Sequence, residues 1–252
     1  MIAWREKAAA FGVHFLVTLL LAASAAALVF LIWFPDPFHK MLGGTTLFGI
    51  LILCDLGLGP LSSFIIYNSR KSRRALVFDY TVIGAIQLAA FIYGVYSVAN
   101  NRPAYIVFVG DRFEVIAAGE IDDADLAKGG DRHDMRPKWG PQLVAIREAK
   151  GVKEHNEMVF SGLQGKDYSV LPAYYVPFEQ GLPELKRRAQ PVSELERRHK
   201  EAKPLIANAL AQLQVPVERL LWMPVMHKSG FWTVLLDCDT GQPVSWLPVD
   251  PY

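Results

Sequence analysis

Long apolar runs alternate with short polar segments over the first hundred residues of the chain. The runs cover residues 11–34, 43–67 and 76–98, and each contains at most one formally charged residue. A helix needs about 20 apolar residues to cross a hydrocarbon core about 30 Å thick. The pattern therefore predicts a membrane domain, residues 1–100, made of three transmembrane helices.

The first run has a competing interpretation as a cleaved signal peptide. A signal peptide has a shorter apolar region of about 7–15 residues, followed by a cleavage site of small residues. Here the run continues to Trp33 and Phe34, aromatic residues of the kind that lie at the membrane–water interface. We therefore expect a retained transmembrane helix.

Basic residues are distributed unequally between the two ends of the predicted helices. One side has only Lys40 and Arg102. The other side has a larger set, which consists of Arg5, Lys7, Arg70, Lys71, Arg73 and Arg74. Basic loops stay on the cytoplasmic side of a membrane. The sequence therefore predicts a cytoplasmic N-terminus and places everything after Asn100 outside the cytoplasm.

Residues 101–252 carry most of the charge and are predicted to form a soluble α+β domain. Two strands are expected on either side of Gly110-Asp111, a dipeptide that is favoured in hairpin turns. Three further strands form a meander between residues 219 and 249, with turns at 229–230 and 239–241. Residues 122–192 are rich in glycine, proline and charge, and they predict no definite elements.

The strongest helical pattern of this domain begins at Ser193. Ser193 and Glu196 have the spacing of a capping box, and apolar residues recur at helical spacing as far as Leu213. Pro204 lies within the pattern, where it lacks the N–H that a helix needs. We expect the helix to be kinked or divided in two at this proline.

Composition excludes few functional classes. Of the 252 residues 52% are hydrophobic and 20% are charged, and the formal net charge is +1. A nucleic-acid-binding protein needs a concentrated basic surface, so we expect no nucleic-acid partner. Cys54 and Cys238 lie in different environments without metal-ligand spacing, and both are expected to be free thiols.

The polar motifs of the chain predict no catalytic residues, no metal site and no cofactor. Residues 239–241 (Asp-Thr-Gly) resemble the loop of aspartic proteases, but that chemistry needs two such carboxylates, and a turn is expected here. Residues 131–134 and 153–157 each place a histidine among carboxylates without a zinc-binding spacing. We therefore expect a protein that is not an enzyme.

Asp55 lies near the middle of the second apolar run. A carboxylate there is unfavourable by about 2.5–3.5 kcal/mol, so it should face a partner or water. It precedes Gly59-Pro60, where the proline frees a backbone carbonyl and kinks the helix. Asp55 is predicted either to hydrogen bond within the helix bundle, for example to Gln87, or to contact a partner protein.

Asp79 and His14 lie at similar depths near the cytoplasmic ends of their predicted helices. Asp79 is expected either to pair with His14 or to extend toward Arg73 and Arg74 at the membrane surface.

Small residues are concentrated in all three apolar runs, for example at Ala22–Ala27 and Gly84-Ala85. Small residues let helix backbones approach closely in lipid. They are expected either to pack the three helices together or to leave one helix face for a partner helix.

The order and spacing of several residues resemble the TfpX/TfpZ family of type IV pilin accessory proteins. The resemblance is closest over residues 1–116, and the ending "LLDCDTGQPVSWLPVDPY" also fits. The residues that carry it are Phe34-Pro35, Pro37, Gly43-Gly44, Asp55, Gly59-Pro60, Lys71, Asp79, Gln87, Tyr93-Gly94, Arg102-Pro103 and Asp111-Arg112-Phe113.

The resemblance implies a protein of the inner membrane of a Gram-negative bacterium, with a periplasmic C-terminal domain and a type IV pilin as its partner. It implies a non-catalytic role in pilin stability, assembly or display, and it assigns no proven functional residues. Two alternatives are a membrane-anchored periplasmic enzyme and a scaffold or sensor subunit of another envelope machine. A pocket with converging perturbed carboxylates within residues 122–190 would favour the enzyme.

Overall fold

A computed structural model describes residues 2–68, 71–129, 136–163, 165–200, 203–213, 215–228 and 230–252. The chain divides into two compact units, residues 1–101 and 102–252. The first unit is helical, and the second combines a β-sheet with short helices. The predicted order, three long apolar helices followed by a mixed α/β domain, is confirmed.

The helical unit contains three long helices and one short helix. They are α1 (Ile2–Leu28), which a π-helical segment (Val29–Trp33) extends, α2 (Phe38–Met41), α3 (Gly44–Ile66) and α4 (Arg73–Asn101). Three helical stretches, Trp4–Trp33, Gly44–Ile66 and Arg73–Asn101, are long and apolar enough to cross a membrane. Helix α1 begins nine residues before the apolar run. The charged residues that precede the run are good helix formers, so the helix extends beyond the hydrophobic pattern at its N-terminal end.

Helix α3 lies between the other two long helices. It packs against both α1 and α4, whereas α1 and α4 barely touch each other. The apolar core of this unit consists of Ala25, Val29, Phe34, Phe48, Leu51 and Val98. Helix α3 therefore buries one stripe of residues, whereas α4 buries only Val98, and much of the apolar surface of all three long helices is exposed.

The glycines of this unit have two kinds of surroundings. A Cβ at Gly44 would lie 2.9 Å from the ring of Phe34, and one at Gly94 would lie 3.3 Å from Cγ of Leu51. These two positions therefore need a small residue for close packing. Gly49 and Gly84, in contrast, face open space.

The second unit is built on a mixed β-sheet. Its strands are β1 (Pro103–Phe108), β2 (Phe113–Ala117), β3 (Gln142–Ile146), β4 (Tyr175–Pro177), β5 (Gln190–Pro191), β6 (Leu220–His227), β7 (Gly230–Asp237) and β8 (Pro243–Leu247). Within the described residues the strand order is β4-β3-β1-β2-β6-β7-β8, and β5 pairs with β6. The pairs β1–β3 and β2–β6 are parallel, and the other pairs are antiparallel.

The predicted hairpin and meander are both present in this sheet. Strands β1 and β2 meet at a turn in which Val109 N donates to Arg112 O, and Gly110 has a φ of 100° that favours glycine. Strands β6, β7 and β8 follow one another as antiparallel neighbours. Residues 239–241 form the turn between β7 and β8, as expected, while Ser229 of the preceding turn lies outside the described residues.

Short helices cover parts of the sheet. They are α5 (Asp123–Leu126), α6 (Val152–Leu163), α7 (Leu182–Arg188), α8 (Val192–Arg198) and α9 (Lys203–Leu213), with 3-10 turns at 118–120, 168–170, 172–174, 178–181 and 217–219. The predicted long helix is divided into α8 and α9, and Pro204 lies in the first turn of α9, where no N–H is needed. The predicted capping box is wrong. Helix α8 begins earlier, at Val192, because the preceding Gln190-Pro191 pairs with β6.

Candidate functional site

The three long helices bring most of the predicted intramembrane residues together. Asp55 lies at the middle of α3 and is only 6% exposed. Its Oδ2 atom is fully enclosed and has no hydrogen-bond partner among the described residues. The expected hydrogen bond from Gln87 is not formed, although Gln87 and Asp55 line the same cavity. A buried polar atom without a partner is costly, particularly away from water.

Gly59 lies one turn after Asp55, at the point where side chains from two other helices converge. A Cβ at this position would overlap the side-chain amide of Gln87 on α4 and would lie 3.4 Å from Nε2 of His14 on α1. Pro60 follows within the same continuous helix and is itself buried. Glycine at position 59 therefore allows His14 of α1 and Gln87 of α4 to approach α3 at the same point.

His14 hydrogen bonds through Nδ1 to Oγ of Ser63, a fully buried residue that the sequence analysis missed. Its position could have been found from helical periodicity. Asp55, Gly59 and Ser63 are spaced four residues apart, so they share one face of α3. The buried face of α3 continues through Gly44, Phe48 and Leu51.

Asp79 lies apart from this cluster. It forms a 2.6 Å ion pair with Nζ of Lys71, in the segment that precedes α4. The expected pairing with His14 is wrong, because His14 bonds to Ser63, and Arg73 and Arg74 are not the partners of Asp79 either. Asp79 therefore forms an ion pair at the polar end of α4, as the second alternative predicted. Its partner is Lys71 and not Arg73 or Arg74. Arg70 lies outside the described residues.

A groove runs between α1 and α4 with α3 as its floor, and we call it the α1–α4 groove. Its middle is a cavity of about 180 Å³, which Asp55 and Gln87 line together with His14, Val17, Thr18, Leu21, Ala22, Gly84, Leu88 and Phe91. Toward the N-terminus of α1 it continues into a space of about 650 Å³, lined by Glu6, Ala9, Ala10, Val13, His14, Val17, Tyr67 and Tyr80. The groove is therefore apolar along most of its length, with one polar cluster at its centre and Glu6, Tyr67 and Tyr80 at the end near the N-terminus of α1.

The predicted motif that follows α4 is split between the two ends of one hairpin. Pro103 begins β1 opposite Ala117, whereas Phe113 begins β2 opposite Phe108. At about 3.3 Å per residue these ends are roughly 17 Å apart. Arg102-Pro103 and Asp111-Arg112-Phe113 therefore do not form one site.

Each half of the motif has a structural contact of its own. Arg102 accepts a hydrogen bond from Ala118 N at its carbonyl and donates through Nη2 to Pro137 O at 3.3 Å. Burial, followed by the charge of Arg136, lowers the pKa of Arg102. Phe113 is completely buried against the ring of Phe108, while Asp111 is exposed in the turn.

Arg112 leads to a second residue that the sequence analysis missed, Glu114. Glu114 is 3% exposed, and its Oε1 atom lies 2.5 Å from Nη2 of Arg112 in an ion pair that is not an aligned hydrogen bond. Burial raises the pKa of Glu114, while a hydrogen bond with Ser169 and the charge of Arg112 act in the opposite direction. A charged residue within the apolar strand "FEVIA" was the signal that could have revealed it.

Comparison with known proteins places this chain among fimbrial assembly proteins. It is 33% identical to the serogroup I fimbrial assembly protein of Dichelobacter nodosus over 229 residues, which are 90% of this chain and 89% of that protein. The serogroup E1 protein of the same organism is 30% identical over 228 residues, again 90% of this chain and 89% of the relative.

The chain belongs to the fimbrial assembly protein family. The profile of the family named "Fimbrial assembly protein FimB" matches residues 2–43, which contain α1 and α2. A shorter relative, from serogroups C1 and C2, is 39% identical over 110 residues, 44% of this chain and 84% of its own length. No solved structure matches the chain.

The family resemblance is not confined to the helical unit. An alignment of 229 residues is longer than either compact unit, so it includes parts of both. Family membership agrees with the expected class of pilus accessory proteins, although the relatives have the fimbrial assembly name and not the TfpX/TfpZ name.

Within the described part of residues 122–190, the carboxylates with shifted pKa values lie in salt bridges and not in the converging pocket that would favour a membrane-anchored periplasmic enzyme. The salt bridges hold these pKa values below their ordinary range. Lys128 and Lys166 lower the pKa of Asp125, Arg147 lowers that of Glu154 to about 2, and two arginines lower that of Glu184. Such carboxylates remain ionised and ion-paired at neutral pH.

Proposed function

We propose that this protein is a non-catalytic accessory protein of the bacterial inner membrane that supports the stability, assembly or display of a type IV pilin. The observation that carries the proposal is similarity over 90% of the chain to fimbrial assembly proteins. The resemblance of residues 1–116 to the TfpX/TfpZ proteins supports the narrower assignment to type IV pili.

In this proposal α1, α3 and α4 each cross the inner membrane. Their length and hydropathy suit such crossings. Basic residues at the start of α1 and between α3 and α4 favour a cytoplasmic location for those two ends. An odd number of crossings then leaves residues 102–252 in the periplasm.

A pilin is a suitable partner for a protein with this arrangement. Before assembly, a pilin resides in the inner membrane as a single apolar helix with a globular head on the periplasmic side. An accessory protein with a membrane-embedded unit and a periplasmic unit can contact both parts of the pilin. The α1–α4 groove is the candidate contact in the membrane, and the β-sheet unit is the candidate contact outside it.

The test is deletion of the gene in its native host, with measurement of both surface pili and total cellular pilin. We expect surface pili to fall, and the wild-type chain supplied in trans to restore them. Loss of total pilin together with pili indicates a role in stability, while normal pilin without pili indicates a role in assembly or display. A deletion strain with wild-type pili and wild-type pilin would refute the proposed function.

A further inference from the structure

The α1–α4 groove lies between two helices of this chain and is open to the surroundings. Val17 on α1 and Leu88 on α4 line the groove and are 52% and 57% exposed. Helix α3 contacts both flanking helices, but the flanking helices barely contact each other. The exposed sides of α1 and α4 are therefore available to a third helix, above the point where His14 and Gln87 converge on Gly59.

The length of the groove suits one helix. Its lining on α1 extends from Glu6 to Ala22, which corresponds to about 24 Å at a rise of about 1.5 Å per residue. That length is most of a hydrocarbon core of about 30 Å. Small residues at Ala9, Ala10 and Gly84 leave room for a helix backbone to approach closely.

The centre of the groove supplies the chemical specificity. Asp55 lines the cavity at the floor of the groove, and neither oxygen of its carboxyl group has a hydrogen-bond partner among the described residues. A carboxyl oxygen accepts hydrogen bonds, so the missing partner is an N–H or O–H donor. An otherwise apolar helix with one such donor at the depth of Asp55 would hydrogen bond to the carboxyl group. That bond would remove the free-energy cost of leaving the carboxyl group without a partner.

We propose that the α1–α4 groove binds the single transmembrane helix of the fimbrial subunit, through an apolar surface and one N–H or O–H donor that hydrogen bonds to Asp55. The inference rests on the proposed function, because that function supplies the identity of the partner. It adds the binding surface, the orientation of the occupant along α1 and α4, and the polar group that the occupant must have.

The other occupants of the groove fit the observations less well. A lipid acyl chain fills apolar space but has no donor for Asp55. In a second copy of this chain, Ser24, Ser62 and Thr81 already donate to a carbonyl one turn earlier in their own helix, at distances of 2.9, 2.7 and 2.8 Å. Tyr93 and Tyr96 of its α4 do present exposed O–H donors, so the crosslinking products must distinguish a second copy from the fimbrial subunit.

Site-specific photo-crosslinking in intact cells tests the proposal on the full-length protein. The photo-reactive residue p-benzoylphenylalanine replaces Val17 or Leu88 in the groove, and Leu53 or Ile50 outside it. The two control positions lie on α3, are 75% and 58% exposed, and do not line the groove. Antibodies against the fimbrial subunit and against this chain identify the products, and accumulation of each variant is measured by immunoblot.

We expect crosslinks to the fimbrial subunit from the two groove positions and little product from the two controls. If the variant at Val17 does not accumulate, Val13 provides a second position on the same helix and in the same groove. Equal crosslinking at all four positions would overturn the proposal, as would products with a second copy of this chain or no protein product from accumulated groove variants.

A pair of substitutions at Asp55 then tests the role of the carboxyl group. Asp55→Leu should lower the yield of crosslinking from Val17 by roughly 3- to 20-fold, the range expected for one lost intramembrane hydrogen bond, whereas Asp55→Asn keeps an acceptor and should lower it less. An unchanged yield in Asp55→Leu overturns the polar part of the proposal. If the deletion strain loses its pili but the groove positions give no crosslinks, only the proposed binding of the fimbrial subunit in the groove is refuted. If the deletion strain is normally piliated, the proposed function itself is refuted.

Discussion

The ion pair between Arg112 and Glu114 makes the stability of the sheet unit sensitive to one substitution, Arg112→Met. Methionine retains much of the length of arginine but removes the charge, so Glu114 keeps its buried position with Ser169 as its remaining partner. Removal of one member of a buried ion pair costs about 3–5 kcal/mol. The Arg112 side chain is 21% exposed and Ser169 remains, so we expect about 2–3 kcal/mol.

The assay is thermal unfolding of residues 102–252, which form a compact unit with a core of their own and which we expect to fold alone. At about 2–4 °C per kcal/mol for a domain of this size, Arg112→Met should lower the Tm by about 4–12 °C. Adding Glu114→Gln removes the unpaired charge and should restore most of the loss. Arg197→Met, which breaks an exposed pair with Glu194, is the control and should change the Tm little.

The pH dependence provides a second readout with a defined sign. Burial raises the pKa of Glu114 above its ordinary value of 4.5, so its contribution to stability is fully present below pH 4.5 and is lost as the pH rises through the folded-state pKa. Without Arg112 the folded-state pKa rises further, so the deficit of the variant should be larger at about pH 8 than at about pH 5. The reasoning is refuted if the double variant melts as low as Arg112→Met, or if that single variant melts within about 2 °C of wild type.

Three further predictions concern topology, the groove and helix α6. An alkaline phosphatase fusion after Arg102 should be active and one after Arg74 inactive; the opposite pattern would reverse the proposed topology. The Asp55→Ala variant should accumulate normally and lower the number of surface pili by roughly threefold or more, and Asp55→Asn should lower it less. Normal piliation in both variants would show that Asp55 is merely tolerated. Degradation of the alanine variant would show that Asp55 has a purely structural role. Glu154→Gln should speed amide hydrogen exchange in α6, which buries none of its residues, because it weakens the bonds from Arg147 at 2.6 and 2.9 Å. Since the pKa of Glu154 is lowered to about 2, wild-type protection should persist down to acidic pH and be lost as the pH falls toward 2; exchange that is unchanged in the variant would contradict this role.

The local features of the fold were predictable because each depends on a short stretch of chain. Twenty apolar residues suffice to indicate a membrane-crossing helix, whatever the helix later packs against. The turn at Gly110 and the division at Pro204 follow in the same way from the backbone chemistry of one residue. The start of α8 was mispredicted because a tertiary contact, the pairing of Pro191 with β6, competes with the local capping signal.

The order of strands could not be read from neighbouring residues. Strand β1 lies between β2, its partner in the hairpin, and β3, which follows β2 only after the connection formed by residues 118–141. The parallel pairs β1–β3 and β2–β6 join segments that are distant in sequence. Such pairings are decided by how strands bury their faces against helices and each other, and periodicity within one strand carries no information about them.

By itself, the sequence determined that Asp55, His14 and Gln87 lie within apolar helices and that each must satisfy a polar group there. Tertiary structure alone decided that His14 and Gln87 meet at Gly59 and line one cavity with Asp55. It also decided that His14 bonds to Ser63 and that Asp79 lies elsewhere with Lys71. The reason is physical. Helical periodicity defines which residues share a face, but the depth at which one helix contacts another depends on where glycines and large side chains on both helices interlock.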